Sequence, residues 1–139
     1  MHLSILAIGR LKEPVVTSLC EDYLKRIRRH FKVELVEVRT DAEALRRVGR
    51  GARLVALDAG GTMRTSEQFA RWLEQRLADP APLQFVIGGA EGLSADLRQR
   101  ADETLSLGPM TLPHRLARVV LTEQLYRAVS ILRGAPYHK

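Results

Sequence analysis

Three segments of the 139-residue sequence carry residue types and spacing suited to holding a ligand or moving a proton. The first is a pair of glycine-rich turns, Gly60-Gly61 and Gly88-Gly89-Ala90-Glu91-Gly92, each following an apolar run that reads as a strand. Glycine lets backbone N–H and C=O groups approach a ligand closely. In α/β sheets, ligands sit outside the carboxyl ends of the strands. Neither turn is GxGxxG or GxxxxGKS/T, so dinucleotide and nucleoside-triphosphate sites gain no support. The second segment is Leu107-Gly108-Pro109-Met110-Thr111-Leu112-Pro113-His114. Two prolines and a glycine make it stiff. It either presents its backbone groups to a flat heterocycle or plugs the core with its apolar side chains. The third is the C-terminal tail, where Tyr137 and His138 follow Arg127 of the last helix. These groups can stack on a base or handle a proton, or they can be a plain frayed end. Asp58 and Glu91 also follow strands, as polar orienters or as caps of the next element. The four histidines (His2, His30, His114, His138) are scattered and Cys20 is the single cysteine, so neither a zinc site nor a disulfide framework is expected.

The elements that must position these segments are legible as alternating patterns. Apolar strands are predicted over Leu3–Gly9, Val33–Val38, Leu54–Asp58, Leu83–Ile87 and Leu105–Leu107, the third broken by Ala59-Gly60-Gly61. Helices are predicted from Pro14 to His30, over Ala42–Arg50 capped by Asp41, over Ser66–Leu77 with a Thr65/Gln68 capping box, over Ala95–Glu103 capped by Ser94, and from His114 to Leu132. Alternation of this kind predicts one α/β domain over 1–139, a mostly parallel sheet flanked by helices. The last helix is apolar on most of its circumference, which calls for burial on two sides, and in so short a chain the second side is expected to be another subunit. A homodimer is therefore predicted. The start, MHLSILAIGRLKEP, lacks the features of a signal peptide, and no apolar run approaches the 18 residues that span a bilayer. A cytoplasmic protein without a membrane partner is expected.

The net charge of +6 and pI near 10.1 point to a polyanionic partner. Of the 22 cations 18 are Arg, which grips phosphate bidentately and stacks on bases. They gather in two places: Lys25, Arg26, Arg28, Arg29 and Lys32 near the end of the first long helix, and Arg115, Arg118, Arg127, Arg133 and Lys139 from Pro113 onward, where Glu123 is the single acid and the net is +4. The second group, with His138, adjoins the stiff loop and fits an anionic macromolecular substrate. A non-catalytic RNA-binding or ribosome-assembly factor fits the same bulk charge.

Four blocks carry a resemblance: Val86-Ile87-Gly88-Gly89-Ala90-Glu91-Gly92-Leu93-Ser94, Met110-Thr111-Leu112-Pro113-His114, Leu125-Tyr126-Arg127-Ala128 and Pro136-Tyr137-His138-Lys139. In order and spacing the chain resembles the RlmH family, SPOUT-class methyltransferases of N3 of a pseudouridine in bacterial 23S rRNA. Tyr23-Leu24-Lys25-Arg26 near the start fits more weakly. The resemblance implies an obligate dimer with a deep C-terminal trefoil knot, working on rRNA or the ribosome without a metal. It implies that S-adenosyl-L-methionine is contacted by Leu57, Gly88, Gly89, Leu107, Gly108, Pro109, Met110, Thr111 and Leu112. In methyl transfer to an imide nitrogen, His138 or Tyr137 is expected to handle the base and Arg127 to stabilise charge on the uracil oxygens. The chain departs from the family pattern at Ala90, where proline is common, at Lys139, where Arg is common, and in a short 39–53 segment.

Overall fold

A computed structural model describes residues 2–138; Lys139, named above, lies outside the described residues. The strands are β1 (His2–Ile8), β2 (Lys32–Val38), β3 (Arg53–Met63), β4 (Leu83–Ile87) and β5 (Glu103–Ser106). The helices are α1 (Pro14–Ile27), α2 (Asp41–Arg46), α3 (Ser66–Ala78), α4 (Ala95–Arg100) and α5 (His114–Leu132). The strands form one sheet in the order β2-β1-β4-β3-β5, and every pairing is parallel.

Side chains alternate across a strand, so β1 and β4 supply two cores at once. Leu3, Ile5 and Phe85 face a cluster completed by Leu24 and Ile27 of α1, Phe69, Trp72 and Leu73 of α3, and Leu121 and Leu125 of α5. Leu6, Ile8 and Val86 face the opposite side, against Ala44 of α2 and Leu97 of α4. The sheet is thus covered on both faces, as its apolar strands require.

Three local readings change. The Gly60-Gly61 segment does not end β3, which continues to Met63. A Cβ on Gly61 would lie 3.0 Å from the Leu105 nitrogen and from the Thr104 carbonyl carbon, so glycine lets β3 stay beside β5 through a bulge. There Leu105 opposes both Leu57 and Thr62. Thr40, not Asp41, caps α2 by accepting from the Glu43 N–H, and the Asp41 carboxylate instead accepts from the Ser94 N–H at 2.6 Å, tying α2 to the start of α4. Glu103 begins β5 rather than ending a helix, where it accepts from Trp72 Nε1 at 2.9 Å.

The two-sided burial predicted for the last helix is met largely within the chain: α5 packs beside α1 on one flank and α3 on the other. In its second turn Arg118 is 1 % exposed. Its guanidinium pairs with Glu37 of β2, and Nη2 donates to the Gly9 carbonyl at 2.6 Å. Arg118 therefore leaves the solvent-facing basic group in which the sequence places it. Burial opposes ionisation of Glu37, but the Arg118 guanidinium and the Leu11 N–H outweigh it and hold the carboxyl below the usual carboxylate range.

The stability that Glu37 contributes is full above its unfolded pKa of about 4.3 and is lost as pH falls through the lower native value. Glu37→Gln, which strands a buried cation, is expected to cost about 2–3 kcal/mol at pH 7 in urea unfolding, at the low end of the buried-pair range because Glu37 itself is 40 % exposed. The loss relative to wild type should shrink below pH 4. An equal loss at pH 7 and pH 3 would show that the ion pair is not its source.

Candidate functional site

A cavity of about 610 Å³ opens where the middle of β3 and the carboxyl end of β4 meet the loop between β5 and α5. Its wall includes Leu57, Asp58 and Ala59 from β3, the turn from Gly88 to Leu93, and the loop from Leu107 to His114. Leu57, Gly88, Gly89, Leu107, Gly108, Met110, Thr111 and Leu112, singled out from the sequence, all line it; Pro109 belongs to the same loop but does not.

Close backbone approach builds this wall. A Cβ on Gly88 would sit 2.9 Å from the carbonyl carbon of Gly92, and one on Gly89 would sit 3.3 Å from the Ile8 carbonyl oxygen. The turn closes on itself through the Gly92 N–H, which donates to the Gly89 carbonyl at 3.1 Å, so Ala90 does not loosen it. Gly108 has φ +137°, a conformation that side chains disfavour, and it starts the stiff loop. Ser106 locks that start: its hydroxyl accepts from the Gly108 N–H at 3.0 Å and reaches the Ala59 and Gly108 carbonyls, each at 3.0 Å. Met110, 80 % exposed, stands over the loop.

Sequence reasoning passed over Ser106 and Arg98, and took His114 only as the end of the stiff loop. Arg98 lines the cavity and pairs with Asp58 at 2.6 Å, which gives that acid its partner. His114 also lines it, and its Nδ1 is buried with no hydrogen-bond partner among the described residues. For Ser106 and His114 the available signal was position, a polar residue at the end of a strand or the start of a helix beside a glycine loop; Arg98, inside α4, carried none. A second cavity, of about 250 Å³, adjoins the first and shares Leu105, Leu107 and Gly108 with it. Phe69, Val120 and Leu121 give it apolar walls, while Arg64, Ser66 and Gln124 stand at its polar side.

The tail residues meet one another elsewhere. Arg127 Nη1 lies 2.9 Å from His138 Nδ1, its Nε and Nη2 donate to Glu123 at 3.2 and 2.9 Å, and its guanidinium lies over the Tyr137 ring at 4.8 Å. A guanidinium only donates, so His138 Nδ1 accepts here and Nε2 carries the proton toward Glu67, 3.2 Å away. The Tyr137 hydroxyl donates to Glu123 at 2.7 Å. Burial, and then that bond to Glu123, push the phenol well above its ordinary range, so it remains protonated. None of the three lines the larger cavity. Arg127 lies thirteen residues beyond His114 on α5, roughly 20 Å along the helix axis.

A family model described as "Predicted SPOUT methyltransferase" matches residues 1–138. Proteins named "Ribosomal RNA large subunit methyltransferase H" are similar over full length. The one from Gemmatimonas aurantiaca is 41 % identical over 100 % of this chain and 100 % of its own. That from Hyphomonas neptunium is 45 % identical over 100 % and 99 %. Among solved structures, the SpoU methyltransferase AviRb from Streptomyces viridochromogenes, in complex with the cofactor AdoMet, superposes with TM-score 0.56 at 19 % identity, over 96 % of this chain and 59 % of that one. A probable methylase family protein from Haemophilus influenzae gives TM-score 0.62 at 14 % identity, over 99 % of this chain and 70 % of that one. With a parallel sheet covered on both faces, a glycine-built cavity at its carboxyl edge and a family match over all but its last residue, the chain belongs to the SPOUT methyltransferase family.

Proposed function

We propose that the protein methylates N3 of a pseudouridine in large-subunit ribosomal RNA, using S-adenosylmethionine and acting as a homodimer in the cytoplasm. The observation that carries the reading is the 610 Å³ cavity, lined by eight of the nine residues expected to contact the cofactor. Its size falls within the range that encloses a small organic cofactor. Leu57, Ile87, Leu107 and Leu112 offer apolar surface to an adenine, the Gly88-Gly89 turn and the Gly108 loop offer backbone groups, and the His114 Nδ1, without a partner among the described residues, offers one more polar contact. The residues present therefore fit the group. The printed names of the full-length relatives support the large-subunit rRNA substrate, and the AdoMet held by AviRb supports the cofactor. The pseudouridine position, and a trefoil knot at the C-terminal end, follow from the RlmH resemblance.

Bound in this cavity, S-adenosylmethionine supplies a methyl group on a positively charged sulfur. The protein must align that methyl with the acceptor nitrogen and deal with the imide proton. Alignment alone is worth roughly 7–11 kcal/mol of barrier. The adjoining 250 Å³ cavity, apolar on its Phe69, Val120 and Leu121 walls, gives a planar base a place beside the shared Leu107-Gly108 wall. His138 takes the proton role through Nδ1, its one unprotonated ring nitrogen, once Arg127 gives way there to the base; Tyr137 stays protonated and serves as a donor. Arg127, held by Glu123, orients His138 and carries charge toward the uracil oxygens.

One chain keeps the tail trio apart from its larger cavity, and a dimer brings a tail to the cavity of the partner subunit. The face for that dimer is α1 with α5. These helices start side by side, with Arg115 3.6 Å from Glu13, and present Val15, Leu19 and Leu116 to solvent.

Three outcomes test this. Gly88→Ala should weaken S-adenosylmethionine binding about tenfold or more in calorimetric titration while the fold persists by circular dichroism, tenfold being about 1.4 kcal/mol; unchanged affinity removes the turn from the site. His138→Ala should lower kcat on ribosomes roughly 100-fold or more with cofactor affinity unaltered, whereas lost cofactor binding would sink its assignment to the base. Co-expression of the Gly88→Ala and His138→Ala chains should restore about a quarter of wild-type turnover, since half the two-fold dimers then hold one complete site. No recovery would place each tail with its own chain's cavity.

A further inference from the structure

The two basic groups seen in the sequence converge in space. Helices α1 and α5 run side by side in the same direction: Glu13 meets Arg115 at their starts, Tyr23 meets Tyr126 at 6.1 Å further along, and Arg133 acts on His30 at their ends. Where they finish, a cleft of about 290 Å³ is lined by Arg26, Arg29, His30 and Tyr126. We propose that this cleft holds a backbone phosphate of the RNA substrate, with a neighbouring base lying against Tyr126. The proposal rests on the reading that the protein acts on RNA.

Charge counting separates a phosphate seat from ordinary helix-end complementation. Each helix C-terminus presents about half a negative charge, so two ends call for about one cation. Arg26 is engaged by Asp22 at 3.3 Å and Arg28 by Glu21. Among the described residues Lys25, Arg29, Lys32 and Arg133 pair with no carboxylate, and all four are exposed. The surplus is felt locally: burial, then the charges of Arg133 and Arg29, hold the His30 ring below its ordinary pKa. Arg26 lies 5.5 Å over the Tyr126 ring, so an aromatic face and two guanidinium groups share one recess. That pairing suits single-stranded RNA, where phosphate contacts set position and aromatic faces hold splayed bases. The cleft also abuts the tail. Tyr126 meets the Tyr137 ring edge-on at 4.7 Å, and Tyr137 adjoins Arg127 and His138. A strand anchored here is one aromatic ring away from the groups assigned to the target base.

The test compares wild type with Arg29→Glu/Arg133→Glu and with Arg29→Lys. KM for intact ribosomes should rise at least tenfold in the double variant, with kcat at saturation and S-adenosylmethionine affinity unchanged. The dependence of log affinity on log salt, read by co-sedimentation with ribosomes, should flatten by roughly 1 for the one phosphate the cleft holds. Arg29→Lys should fall between. A KM and a salt slope equal to wild type would overturn the proposal. Co-sedimentation needs no methyl transfer, so a wild-type protein without activity would refute the enzymatic reading while still deciding the cleft. Inorganic phosphate at millimolar concentration should not displace ribosomes; Arg29-dependent, saturable binding of phosphate alone, with ribosome affinity untouched, would make a free anion the ligand and overturn the RNA assignment.

Discussion

Arg118 puts a full positive charge inside the protein, near the start of the helix that borders both cavities. Desolvating a guanidinium costs several kcal/mol, so the helix is tolerated only where that group finds acceptors. It finds them at the carboxyl ends of β1 and β2, in the Gly9 carbonyl and the Glu37 carboxylate. This partnership sets both the rotation and the height of α5 against the sheet. Once the helix is set, His114 and Ala117 fall on the wall of the larger cavity, Val120 and Gln124 on the smaller one, and Glu123 and Arg127 beside the tail. Moving α5 by a turn would shift every one of these by about 5.4 Å.

The larger cavity is built more from main chain than from side chains. The Gly88 turn closes on Gly92, the Gly89 backbone runs against Ile8, and Gly61 lets β5 lie against β3. The loop after β5 then starts from one Ser106 hydroxyl that engages both Ala59 and Gly108. Such a wall is rigid and rich in backbone donors and acceptors, which suits recognition of a ligand by shape and hydrogen bonding rather than by charge. Apart from the Arg98–Asp58 pair and His114 on its wall, the charged and ionisable groups named above are kept away, in the tail and at the helix ends, where a polyanion is the natural partner.

Much of this order was legible in the chain. Alternating apolar runs and turn residues marked all five strands and five helices, and the Gly88 turn and stiff loop marked residues of the cavity wall, whereas Gly60-Gly61 and Pro109 do not line it. Errors fell where a long-range partner overrides a local rule. Gly60-Gly61 signals a break in isolation, yet β5 draws the strand onward. Asp41 is a good cap by type, yet the Ser94 N–H claims its carboxylate. The tail trio was rightly grouped, but sequence distance said nothing of its separation from the cavity.

The sequence by itself determined the class of fold, the covering of the sheet on both faces and the basic character, because hydrophobic period and composition are local properties of the chain. Only the tertiary structure decided which charges are available. Arg118 is spent inside, Arg127 is held by Glu123, and Arg29 and Arg133, more than a hundred residues apart, both act on His30 at one cleft. The free energy of a charge depends on what surrounds it, and those neighbours come from helices and strands that only the packing of α1, α5 and the sheet brings together.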